Sequence, residues 1–117
     1  MAIIKISDFS KEAASKTKGL ILKEKLLEHL DDADLAVDFT GIEMFASPFF
    51  NNSFSALALI YGFEKINNIE KIGLDSTGQN TYDTSIENAR LLSNSPQFSE
   101  QINDIVNNAN KDGEQFG

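Results

Sequence analysis

Between Leu35 and Gly62 a strand, a tight turn and a Ser-Pro helix start follow one another directly. Leu35-Ala36-Val37-Asp38-Phe39 places apolar residues on successive positions, as in a strand buried on both faces. Thr40-Gly41 turns the chain. Ser47-Pro48 then opens a helix, with Ser47 as N-cap and Pro48 at the first helical position. Phe50, Phe54, Leu57 and Tyr61 fall at helical spacing, and Gly62 supplies the stop. A serine at such a turn holds its hydroxyl at the positive end of a helix dipole, a place suited to a phosphoryl group.

The flanking sequence extends the pattern. Ala2 to Ile6 reads as a short strand, broken by Ser7-Asp8-Phe9-Ser10, with a polar link from Lys11 to Lys18. A helix is expected from about Gly19 to Leu30, because Leu22, Leu26 and Leu30 form one stripe. Asp31-Asp32 ends it. Lys71 to Asp75 reads as a third strand, Ser76 to Thr81 as a polar loop, and Asp83 as the cap of a helix over Thr84 to Ser93. Ser95-Pro96 opens a last helix, with Phe98, Ile102, Ile105 and Val106 at helical spacing. The alternation predicts an α/β layer fold. Residues 1–106 form the expected domain and 107–117 a polar tail.

Composition limits what such a domain does. The chain has 117 residues, of which 41% are apolar, enough for a single core. A formal net charge of -8 argues against nucleic acid and anionic membrane surfaces as partners. There is no cysteine and only one histidine, His29, so thiolate and multi-histidine metal sites are excluded. No apolar run approaches the roughly 20 residues of a membrane span. Met1 to Lys5 lacks the form of a signal peptide, and a cytoplasmic location is expected.

From Ile3 to about Asn94 the chain resembles the STAS-like family of unknown function, a relative of the bacterial anti-sigma factor antagonists. The resemblance rests on an ordered series. It runs through Asp8-Phe9-Ser10, the glycine-led helix from Gly19, Val37-Asp38-Phe39, the Ser47 to Phe54 helix start and Tyr61-Gly62-Phe63. It implies a small mixed sheet with helices packed mainly on one face, and places helices Gly19 to Leu30 and Ser47 to Tyr61 on that face. It also implies a non-catalytic regulatory module of the partner-switching, signalling kind. Its partner would be a protein, an ATPase-fold kinase or an anti-sigma-like regulator, and it would need no cofactor or metal. In antagonists of this type the phosphorylated serine follows an Asp-x-Ser-Gly turn and begins a helix. The matching position is Ser47, where this chain reads Ala46-Ser47-Pro48-Phe49. The resemblance thus gives a docking surface of Thr40, Ser47, Phe49, Asn51 and Asn52, with Ser47 as the phosphorylation position.

Bland readings stand beside these. Ser47 is first of all a helix cap, worth about 1 kcal/mol. The Phe50/Phe54/Leu57/Tyr61 stripe is core, whereas Phe49 lies off it and is expected to be exposed. Asp38 and Asp75 mark strand ends, where α/β folds bind ligands. The alternative function is therefore a small-ligand receptor or phosphoryl-transfer enzyme using Asp38, Asp75 and the hydroxyls and amides of Ser76 to Thr81.

Overall fold

In a computed structural model, which describes residues 2–94, three short strands and five α-helices alternate along the chain. They are β1 (Ile3–Lys5), α1 (Lys16–His29), β2 (Ala36–Asp38), α2 (Ser47–Asn51), α3 (Phe54–Tyr61), α4 (Phe63–Asn67), β3 (Glu70–Ile72) and α5 (Ser76–Ser93). A 3-10 turn over Ile6–Asp8 follows β1 and shortens the strand expected through Ile6. The expected last helix and the 107–117 tail lie outside the described residues.

The sheet order is β1-β2-β3, and both pairings are parallel. The mixed sheet that was anticipated is thus parallel throughout the described residues. Both crossovers step the same way across the sheet. Right-handed connections then put α1 and the α2–α4 run on one face. The packing agrees: α1 lies against α2 and α3, and α5 lies against α2 and α3. Ile4, Val37 and Lys71 are cross-strand neighbours facing these helices. The Lys71 Nζ stands over the rings of Phe54 in α3 and Tyr82 in α5. Ile3, the neighbour of Ile4 on the other face, is 48% exposed.

Capping decides where the helices begin. Ser15, not the Gly19 region, starts α1: its Oγ accepts from the Lys18 amide at 3.2 Å. The Glu12 carboxylate accepts from the amides of Ala14 and Ser15, so the polar link is an ordered cap. Asp75 caps α5 by accepting from the Gly78 amide at 2.8 Å. That cap draws residues 76–81 into the helix, where a loop and an Asp83 cap were expected.

The second expected helix is broken in two. Asn52 Nδ2 donates to the Pro48 carbonyl at 2.7 Å, and Ser53 Oγ donates to the Phe49 carbonyl at 2.8 Å. Short polar side chains here compete with the helical ladder for its acceptors. Ser53 leaves helical geometry, with φ -126 and ψ -94. Gly62, at φ 104, ends α3 as the sequence suggests.

Candidate functional site

Of the expected docking residues, Thr40 lies just past the carboxyl end of β2, where α/β folds place their sites, and Ser47, Phe49, Asn51 and Asn52 lie in or at the end of α2. Asp38 is the last residue of β2, and Thr40 follows two residues later. The Thr40 amide donates to Asp38 Oδ1 at 2.9 Å. The Thr40 hydroxyl, and then its amide, hold the Asp38 carboxyl below the usual carboxylate range. Gly73, the residue after β3, packs onto this turn. A Cβ there would stand 2.6 Å from Thr40 Oγ1, and its φ is +70.

From Thr40 the chain runs along the rim of the domain to α2. Gly41 turns it at φ 85, and Ile42 plugs the core while its amide bonds the Phe39 carbonyl. The next residues are pinned by backbone. The Ala13 amide donates to the Met44 carbonyl at 2.9 Å, and the Ala46 amide donates to the Ala13 carbonyl at 3.1 Å. Phe45 and Ala13 thus form an isolated parallel bridge. Alternation across that bridge turns Met44 outward, and it is 64% exposed. Met44 was not among the residues expected from sequence. No local signal marks it: a period of two would set Met44 on the side of buried Ile42, and the bridge that turns it outward is non-local.

Ser47 does not cap α2. It is the first helical residue, behind Ala46 as N-cap, and no side chain caps this helix. Ser47 is half-buried and Pro48 beside it is exposed. The hydroxyl therefore lacks the structural role expected of it.

Phe49 is not an exposed contact. It is fully buried, 5.3 Å from the Phe50 ring and 6.5 Å from the Phe39 ring by centroids. The backbone at Phe49 also abuts Gly19 of α1. Helix α2 is covered by α1 on one side and α5 on another, so residues off the apolar stripe are buried too.

Asn51 and Asn52 have internal partners. Asn51 Oδ1 accepts from Ser85 Oγ at 2.6 Å, tying α2 to α5, and Asn52 closes the end of α2. The alternative site fares differently. Asp75 is bonded to its helix, and residues 76–81 are the first turns of α5, not a loop. Among the described residues no three His, Cys, Asp or Glu side chains gather to hold a metal. No helix among them is long and apolar enough to cross a membrane.

What the structure brings together is a rim of exposed Thr40, Gly41, Glu43, Met44 and Pro48 with half-buried Ser47. The backbone of this rim is held at both ends and in the middle. It offers the apolar Met44 side chain and the Ser47 hydroxyl three residues apart.

The model of one protein family, described as a STAS-like domain of unknown function, matches residues 19–79, just over half of the 117-residue chain. Comparison with curated proteins gave no match, and neither did comparison with solved structures.

Proposed function

Since the chain belongs to the STAS-like family of unknown function, we propose that it is a regulatory docking module that binds a protein through the Thr40–Pro48 rim. The single observation that supports this most is Met44. It is an apolar side chain 64% exposed on a backbone already pinned by Ala13, so docking it need not order the main chain. Preordered apolar anchors of this kind carry much of the energy of small interfaces.

On this reading Ser47 is the switch. Its hydroxyl does not cap α2, so modification breaks no cap. A phosphoryl group would add a charge of about -1.5 to -2 three residues from Met44. The chain is already strongly acidic. Added charge there would repel an acidic partner face and leave the core untouched. The partner is then a kinase of the ATPase fold or an anti-sigma-like regulator, and the module performs no chemistry of its own.

Affinity capture from native lysate with wild-type protein, Met44→Glu and Ser47→Asp tests the reading. The expected result is a partner, identified by mass spectrometry, held by wild type and lost with both variants. Thr84→Asp, exposed on α5 away from the rim, retains it. A partner captured equally by all four proteins removes the rim from the account.

A further inference from the structure

A second place in the molecule has the chemistry of a site. At the open edge of the sheet, β3, α4 and α5 border a shallow, open groove of about 410 Å³. That is the size of a small-molecule site. Its lining includes Asn67, Lys71, Tyr82, Ile86 and Arg90. Arg90 is the only arginine of the chain.

Both cations are held in place by aromatic rings. Lys71 Nζ stands 4.5 Å from the Tyr82 ring centroid, and the Arg90 guanidinium 4.5 Å from that of Phe63. Neither has an ion-pair partner within 4 Å: the pairs among the described residues are His29–Asp32 and Lys65–Asp31. This is notable in a chain with 18 acidic residues against 10 basic ones. Burial disfavours the Lys71 charge and lowers its pKa, with Asp83 acting the other way.

Hydrogen-bond capacity is left over as well. Lys71 Nζ spends one donor on the Ile69 carbonyl at 3.0 Å and keeps two. Asn67 accepts from the Tyr82 hydroxyl through Oδ1, which leaves its amide NH₂ to donate. The acids of the groove are Asp83 and Glu87, both exposed to solvent. Asp83 already accepts from Gln79 Nε2 at 2.9 Å. Tyr82, Ile86 and Arg90, four apart, form the inner line of the same helix.

We propose that this groove binds a small anion, a carboxylate or phosphate carried by a metabolite-sized molecule, between Lys71 and Arg90. A planar guanidinium and a half-buried ammonium line the same groove and offer charge-assisted donors to an anionic ligand. Tyr82 and Ile86 supply an apolar floor for the rest of the molecule. The site is separate from the Thr40–Pro48 rim and does not depend on that reading.

The test is an amide and side-chain NMR titration of the ¹⁵N-labelled full chain with inorganic phosphate and, separately, with succinate. Ionic strength is held constant with sodium chloride. The expected result is a saturable shift at Asn67, Lys71 and the Arg90 Nε–H for at least one probe, which also tells phosphate from carboxylate. Lys71→Gln and Arg90→Gln each weaken it tenfold or more. Lys65→Gln, a cation outside the groove, leaves it unchanged. Arg90 is exposed, so its variant keeps the fold even if Lys71→Gln disturbs β3. Shifts that stay linear for both probes, or that Arg90→Gln leaves intact, overturn the proposal.

Discussion

Gly19 of α1 faces the backbone of Phe49 in α2 so closely that a Cβ on Gly19 would stand 2.5 Å from the Phe49 carbonyl oxygen. The obstructing atom is backbone and cannot rotate away. Gly19→Ala must therefore separate two helices that share the core. Overpacking of this kind costs about 3 kcal/mol at the upper end of its usual range. The gain in helix propensity, about 1 kcal/mol, offsets only part. A urea titration should show a net loss of about 2 kcal/mol. Wild-type stability for Gly19→Ala would place α1 farther from α2.

The caps make a second, contrasting prediction. Ser15→Ala and Asp75→Ala each delete a side-chain acceptor from a helix start and should cost about 1 kcal/mol apiece. Ser47→Ala deletes none and should lie within about 0.5 kcal/mol of wild type, as surface substitutions do. Urea midpoints of the three variants check the order. A Ser47→Ala variant as damaged as Ser15→Ala would restore Ser47 as a cap.

Phe49→Ala belongs with the core, not with the docking rim. The ring is fully buried among Phe39 and Phe50. Truncation should cost about 3–5 kcal/mol. That is a large part of the stability of a domain this size. Its effect on partner capture should therefore follow the loss of folded protein, measured by circular dichroism, whereas Met44→Glu should lose capture with the spectrum unchanged.

These contrasts show where the sequence was readable. The buried strand at Val37 and the Gly62 stop are local signals that lie where their residues put them, and the Ser-Pro start lies one residue early, with Ala46 in place of Ser47 as N-cap. Helices on one face follow from the order of the elements, whereas the mixed sheet expected from the resemblance is parallel throughout the described residues. Phe49 was misread because a one-sided apolar stripe describes a helix that packs on one side, and α2 packs on several. Asp75 reads as a strand end because Ser76 to Thr81 is as polar as a loop, although in the structure these residues form the first turns of α5. Met44 depends on Ala13, 31 positions away, and no local pattern reports such a bridge.

A buried polar link between helices gives a fourth prediction. Ser85 Oγ contacts both Ser55 Oγ and Asn51 Oδ1 at 2.6 Å, and both serines are buried. Ser85→Ala leaves the Ser55 hydroxyl buried without this partner, at a cost of about 1–3 kcal/mol. Removing both hydroxyls leaves fewer groups unsatisfied than removing one. The double variant Ser55→Ala/Ser85→Ala should thus lose less than the sum of the single losses. Additive losses in a double-mutant cycle would mean that the two hydroxyls do not interact.

Tyr82 offers a prediction in pH. Its hydroxyl donates to Asn67 Oδ1, and its ring packs edge-on against Phe50 and Phe54. Burial raises its pKa from 10.0 to about 12, Asp83 adds to the rise, and Arg90 opposes it. The folded state therefore prefers the neutral phenol more strongly than the unfolded state does. A raised folded pKa means a stabilisation that is complete below pH 10 and is lost as pH rises through about 12. The chain has two tyrosines, so Tyr61→Phe isolates the signal. Tyrosinate absorbance of that variant should rise with a midpoint near 12 while the fold persists. Tyr82→Phe should lose less stability than wild type between pH 10 and 12, since it has no phenol to ionise. A Tyr61→Phe midpoint near 10 in folded protein would show that the phenol is solvated and that the Asn67 bond does not hold it.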